Sequence, residues 1–205
     1  MKIAKLLYLI PLALMAWGCY PAGPDLVEDT DIVYTTFDEG YDFSAKSTYA
    51  MPDKIVIGVD INNVGDTTLT YMKQADANRI LDAINANMQN YGWTQVDISA
   101  DPDVLLTPAG MSNTSYYYTW WYNWWYNDWY SWWGWYYPPY VTIDSYTTGT
   151  LVIAMADPNV ETAYNQTEST WLSISNGILT KSNDIDRAVE AVETSFIQSP
   201  YLNIK

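Results

Sequence analysis

The sequence predicts an α+β domain, an antiparallel sheet with two helices packed on one face and a long aromatic hairpin or loop insertion. Three observations lead there. Two stretches repeat apolar residues at three- and four-residue steps, as amphipathic helices do. Several β-branched or alternating runs read as strands. Their connections are of hairpin type, so strands gathered between two helices imply a sheet covered on one side.

The chain opens with MKIAKLLYLIPLALMAWGCY. Lys2 and Lys5 precede an apolar run from Leu6 to Trp17, which is the form of a secretory signal. The run is shorter than the ~20 residues a bilayer-spanning helix needs. The single cysteine, Cys19, sits directly after Gly18. A lone thiol is awkward in an exported chain, but this arrangement resembles the bacterial lipoprotein signal, whose cysteine becomes the lipidated first residue. The alternative is an ordinary signal with an incidental cysteine. The expectation is a signal peptide over 1–18 and a lipid anchor at Cys19, where each buried acyl methylene contributes ~0.8 kcal/mol to membrane association.

Residues 19–41, rich in Pro, Gly and acid, read as a lipidated tether, and a single domain is expected over 42–205. DFSAKSTYAMP alternates Phe43, Ala45, Ser47 and Tyr49 against polar neighbours and predicts a strand. KIVIGVDI, after Pro52, is a second strand or the continuation of the first after a turn. Asp60, Asn62 and Gly65 resemble the start of a calcium loop, but Val64 takes a ligand position and Tyr71 stands where a bidentate Glu is needed, so a plain turn is expected.

In YMKQADANRILDAINANMQNYGW, the residues Ala77, Ile80, Leu81, Ile84, Met88 and Tyr91 form one stripe, and Gly92 marks its stop. Asp101 and Asp103 bracket Pro102 in a turn before VLLTPAGM. In YVTIDSYTTGTLVIAMADP, Val141, Ile143, Leu151, Ile153 and Met155 fit a tight hairpin or a bulged long strand, and STWLSISNG is one more strand. A last helix carries Ile185, Ala188, Val189, Val192 and Phe196 on one stripe and ends before Pro200. Asp184 and Asp186 suit its N-terminus, and Glu190 and Glu193 fall on its solvated face.

These features occur in an order that resembles the bacterial lipoprotein family called domain of unknown function 4136. The lipoprotein cysteine, DFSAKSTYAMP, NYGW, ADPDVLL, an aromatic and Gly-rich stretch, YTTGTLVIAMADP, WLSISNG and FIQSPYL carry the resemblance over roughly 42–202. The chain departs from it at DINNVGDTTLTYMK and in its density of tryptophans. The resemblance implies an envelope lipoprotein with an α+β fold and supplies no activity and no catalytic residue; the expected location is the outer membrane, on its periplasmic or surface face.

Composition narrows the chemistry further. With 24 acidic and nine basic residues the formal charge is −15, and −17 once Lys2 and Lys5 leave with the signal. Such a chain repels phosphate backbones, so no nucleic-acid partner is expected. Histidine is absent from the composition and the one cysteine is assigned to the anchor. That removes Ser-His-Asp triads, Cys-His pairs and His or Cys metal sites, so neither a metal nor a cofactor is expected. A pair of carboxylates could still hydrolyse glycosides, which makes a glycan-active hydrolase the alternative to a non-catalytic binding or scaffold module.

Residues 116–140, YYYTWWYNWWYNDWYSWWGWYYPPY, hold eight of the eleven tryptophans. WWYN repeats at 120–123 and 124–127, then decays through DWYS to WWGW, a period that suits no strand. The stretch joins two predicted strands, so it is a hairpin tip or a loop between neighbouring strands. Its rings could cover the second face of the sheet, rest at the membrane interface, or form a contact face for a glycan or an envelope protein. On the contact reading, Trp120, Trp121, Trp124, Trp125, Trp129, Trp132, Trp133 and Trp135 are the ligand-binding residues.

Overall fold

The computed structural model describes residues 32–61, 67–111, 149–160, 169–179 and 185–205. The predicted signal peptide, Cys19 and the aromatic segment 116–140 lie outside them. Among the described residues eight strands form one sheet: β1 (Ile32–Phe37), β2 (Thr48–Ala50), β3 (Val56–Ile61), β4 (Thr67–Tyr71), β5 (Thr94–Gln95), β6 (Val104–Met111), β7 (Thr150–Ala156) and β8 (Ser169–Asn176). Helix α1 spans Gln74–Asn90 and α2 spans Ile185–Ile197.

Along the sheet the order is β1-β8-β7-β6-β2-β5, with β3 also meeting β6 and β4 pairing with β3. The β1–β8, β8–β7, β7–β6 and β3–β4 pairs are antiparallel, as the sequence predicts. However, β2 runs parallel to β5 and β6, and β3 runs parallel to β6, so the sheet is mixed. Parallel neighbours need a crossover, and α1 lies in the chain between β3 and β6 to supply one. β2 and β3 pair with β6 at different heights, at Ala50↔Leu105 and Val56↔Ala109. KIVIGVDI is therefore the continuation of the first run after a turn at Pro52.

The α1 stripe is buried as predicted, at Ala77, Ile80, Leu81, Ile84 and Met88. Its N-cap, Lys73, makes no side-chain cap bond. A missing cap costs ~1 kcal/mol, whereas each large apolar side chain buried contributes ~1.5–3 kcal/mol, so packing decides where this helix lies. In α2 the buried set is Ala188, Ala191, Val192, Ser195 and Phe196, while Ile185 and Val189 are half-buried. The face is turned slightly from the predicted stripe because the small Ala191 and Ser195 let α2 approach the sheet. Both helices pack on one face, with Val104, Leu106, Leu151, Ile153, Met155 and Trp171 in the same core cluster.

Three local expectations change. The 42–49 run is not a single strand: Phe43–Ala45 form a 3-10 turn and only Thr48–Ala50 pair. The Asp42 carboxylate accepts from the Ser44 N–H at 3.0 Å and the Ser44 hydroxyl at 2.6 Å, a local bond that competes with strand pairing. The predicted tether 19–41 overlaps β1, whose β-branched residues pair with β8 from Ile32↔Asn176 to Phe37↔Trp171. The approach to α1 contains β4, with Asp60 opposite Thr68 and Tyr71 opposite Val56. Antiparallel strands thus bound the span that resembled a calcium loop, whose residues 62–66 lie outside the described residues.

Val192 is fully buried, and Glu190 and Glu193 are exposed. Val192→Asp should abolish the cooperative urea transition by burying an unpaired charge, whereas Glu190→Ala and Glu193→Ala should each shift stability by no more than ~0.5 kcal/mol. Loss of folding in the glutamate variants with Val192→Asp tolerated would invert the assigned face.

Candidate functional site

The most concentrated charge chemistry among the described residues lies where the Phe43–Ala45 turn meets the end of β7. Asp157 follows β7 directly, and its side chain has no solvent exposure. Its Oδ2 receives the Lys46 ammonium at 2.6 Å and the Tyr41 hydroxyl at 2.8 Å. Its Oδ1 receives the Asn159 N–H at 2.8 Å. The same ammonium lies 5.9 Å above the centre of the Tyr41 ring. Burial, then the bond to Asp157, pushes the Tyr41 phenol far up, so it stays a protonated donor.

Asp103 ties the next part of this chain segment. Its Oδ2 accepts from the N–H groups of Ser47 and Thr48, each at 2.9 Å, and from their hydroxyls at 3.3 and 2.8 Å. The Thr48 hydroxyl oxygen in turn accepts the Asp103 N–H at 2.9 Å. Burial pushes the Asp103 carboxyl up, but the donors from Ser47 and Thr48 outweigh it and hold the group below the usual carboxylate range. A charged acceptor with four donors keeps its proton off and fixes the entry to β2.

A second network joins the helix ends. The Trp171 indole N–H donates to the Ser199 hydroxyl at 2.8 Å, and the Trp93 indole N–H donates to the Leu202 carbonyl at 2.8 Å. The Tyr91 hydroxyl reaches the Phe196 carbonyl at 2.7 Å, and the Ile204 N–H returns to the Tyr91 carbonyl at 2.9 Å. The Ser195 hydroxyl donates to the Ala191 carbonyl at 2.7 Å, so in its 2.6 Å contact with Ser173 the proton comes from Ser173. Phe37 stacks on Tyr201 at 3.7 Å, with Phe43 at 5.8 Å from the same ring.

These contacts account for the motifs that the sequence offered separately. Lys46 of DFSAKSTYAMP meets Asp157 of YTTGTLVIAMADP, and Asp103 of ADPDVLL holds Ser47 and Thr48. Trp93 of NYGW and Trp171 of WLSISNG both reach FIQSPYL. Sequence reading found the motifs but not their pairing, since partners such as Lys46 and Asp157 stand far apart in the chain.

The sequence-predicted site residues, Cys19 and the eight tryptophans from Trp120 to Trp135, lie outside the described residues. Their attachment is described: the chain leaves β6 at Met111, which is paired with Thr150 at the start of β7. Both faces of β7 are buried, with Leu151, Ile153 and Met155 toward the helices and Val152 and Ala154 away from them. Leu105 and Ala109 of β6 share that second face and have no exposure. Among the described residues no three acidic, Cys or His side chains converge as a metal site, and no helix is long and apolar enough to cross a membrane.

A family model described as "Domain of unknown function (DUF4136)" matches residues 33–201. A crystal structure of a DUF4136 family protein from Bacteroides thetaiotaomicron is 30% identical, covering 85% of this chain and 98% of that one with a TM-score of 0.63. A PelC dodecamer structure from Paraburkholderia phytofirmans is 10% identical with a TM-score of 0.40, over 85% of this chain and 99% of that one. A PDZ domain protein from Parabacteroides distasonis is 16% identical with a TM-score of 0.38, over 83% of this chain and 36% of that one. No curated protein matches the chain.

Two outcomes follow from the charge cluster. Lys46→Met leaves the buried Asp157 without its cation and should cost about 3 kcal/mol in urea unfolding, while Lys46→Met with Asp157→Asn should recover part of that loss. Asp103→Asn should cost about 1–3 kcal/mol at pH 7. Because the folded Asp103 is depressed, its contribution is complete above the ordinary value near ~3.9 and is lost as pH falls through the folded one. The stability gap between wild type and Asp103→Asn should therefore close below about pH 4; a gap constant down to pH 2 would remove the carboxylate from this role.

Proposed function

The chain belongs to the DUF4136 family, and on that premise we propose that it is an outer-membrane-anchored envelope lipoprotein acting as a non-catalytic binding or scaffold module. Cys19 is its lipid anchor, and the aromatic segment 116–140 is its contact surface for a glycan, a partner protein or the membrane interface. The observation that supports this reading is how the buried polar groups are used. Tyr41, Lys46, Asp103 and Asp157 bond one another or the backbone around them, so the strongest electrostatics of the described domain hold a turn and a strand. A phenol pushed up by burial and a carboxylate held ionised are poorly matched to general acid–base work near neutral pH. Glu190 and Glu193, the carboxylates that stand close in sequence, are exposed on α2 rather than set in a cleft.

The aromatic residues then stand out as the chemistry left for recognition. Flat indole and phenol rings stack on sugar rings and fill apolar patches of proteins without any need for basic charge, which suits a chain of formal charge −15. For this reason contact with a glycan or protein ranks ahead of membrane contact.

Membrane fractionation and ligand binding test the two halves. Cys19→Ser should release the protein from membranes under a carbonate wash; retention would remove the anchor and favour the aromatic segment as the membrane contact. Replacing residues 119–137 with a short Gly/Asn linker should keep a cooperative thermal transition and lose quenching by cell-wall glycans or capture by envelope proteins. Collapse of the transition would make these rings structural cover for the second sheet face, and release of sugar products by the unaltered protein would make it a hydrolase.

A further inference from the structure

β1 closes one side of the sheet with nothing described beyond it. The bond from the Asp38 N–H to the Thr170 carbonyl, 3.0 Å, sets the phase of its ladder with β8. Residues 32, 34 and 36 exchange bonds with β8, so Val33, Thr35 and Phe37 aim their N–H and C=O groups outward. This edge is also where exposed apolar side chains gather. Ile32 is 60% exposed, Tyr34 55% and Phe37 38%, and Ile197, at 76%, precedes the Gln198 whose side chain meets Thr35 at 3.4 Å. Among the described residues only Tyr71 and Val160 are large, apolar and similarly exposed elsewhere.

Natural edges are usually blunted by lysine, proline, a bulge or extreme shortness. The two-residue β5 at the far end of the sheet follows that rule. IVYTTF has six residues, carries no charge, Pro or Gly, and pairs with β8 without a register shift. The charges lie just outside it: Asp31 precedes the strand, Asp38 and Glu39 follow, and no Lys or Arg occurs between Leu6 and Ala45. A second copy of this strand brings no Lys or Arg near either end to meet Asp38 and Glu39, so self-pairing gains nothing from charge. A strand with basic ends meets the opposite situation.

We infer that the outer edge of β1 docks an extended polypeptide segment as an added strand, one that alternates apolar or β-branched residues and carries Lys or Arg at its ends. Main-chain bonds to Val33, Thr35 and Phe37 supply the pairing, Ile32, Tyr34 and Ile197 receive the side chains, and Asp38 and Glu39 select the charge. Docking at this edge uses none of the residues of the aromatic segment 116–140.

The test uses the full-length protein in detergent micelles and a synthetic peptide alternating Val and Thr between Lys pairs. Hydrogen exchange should show fast amides at Val33 and Thr35 in the free protein and protection of both on adding the peptide. The same peptide with Glu ends should bind roughly tenfold more weakly or worse. Thr35→Pro removes an outward donor but no bond to β8, and Ile32→Lys/Tyr34→Lys keeps the ladder while repelling the basic ends; either variant, once its thermal transition is seen to be retained, should lose the protection. Binding that survives in both variants would be general attraction to an acidic surface and would overturn the proposal. So would outer amides already protected in the free protein, or no protection with either peptide.

Discussion

A buried indole N–H has to meet an acceptor, because leaving it unbonded costs about 1–3 kcal/mol, and two such groups determine how this chain closes. Trp93, just after α1, and Trp171, in β8, are both buried in the core between helices and sheet. Neither finds its acceptor in the sheet. Both reach the segment that follows α2, at Ser199 and Leu202. The C-terminal residues are thereby drawn across the end of α1, and Gly92 is where they pass. Its φ is +99°, and a Cβ there would meet the side chains of Ile204 and Lys205 at 3.1 and 3.0 Å. The helix stop and the passage of the tail are one requirement on one residue, since a positive φ and a close approach both call for glycine.

The charged cluster works by the same logic of satisfied burial. In a chain with so few bases, an ammonium placed against a fully buried carboxylate is a specific commitment. Lys46, at the end of the Phe43–Ala45 turn that Asp42 caps, is the residue that meets Asp157. By contrast, the Arg79–Asp186 pair joins α1 and α2 at 2.5 Å with both side chains well exposed, where ion pairs contribute ~0–1 kcal/mol. Indole bonds and buried packing hold the helices together, and that surface pair adds little.

How legible this was depended on whether the signal was periodic or relational. The α1 stripe was readable residue by residue, because Ala77, Ile80, Leu81, Ile84 and Met88 obey a period that water alone enforces. The α2 stripe was readable to within a small rotation; Ala191 and Ser195 escaped because close approach to a sheet favours small residues over apolar ones. β1 and β4 are β-branched but sit among acids and turn residues, so IVYTTF looked like the end of a tether and TTLTY like an approach to a helix. The break in 42–49 hid in plain view at Asp42, whose local bond overrides a fair alternation. The parallel pairing of β2 and β3 with β6 was not legible, nor were the partners of Asp103, Asp157 and the two indoles, because these are relations between segments far apart. The family motifs marked the participants without saying who met whom.

The same distinction bears on how a rigid domain can carry a variable surface. β6 and β7 are the most thoroughly enclosed strands described, fixed in register from Leu105↔Ala156 to Met111↔Thr150. The connection that leaves at Met111 and returns at Gly149 is far longer than the ~12–15 residues beyond which a connection is usually functional or linker-like. The two strands give that connection a fixed frame to leave from and return to, and recognition loops are generally carried on rigid scaffolds. The polar side chains of the family motifs are already bonded to one another and to the backbone around them, which is why the proposed contact surface is sought in the insertion and not among them.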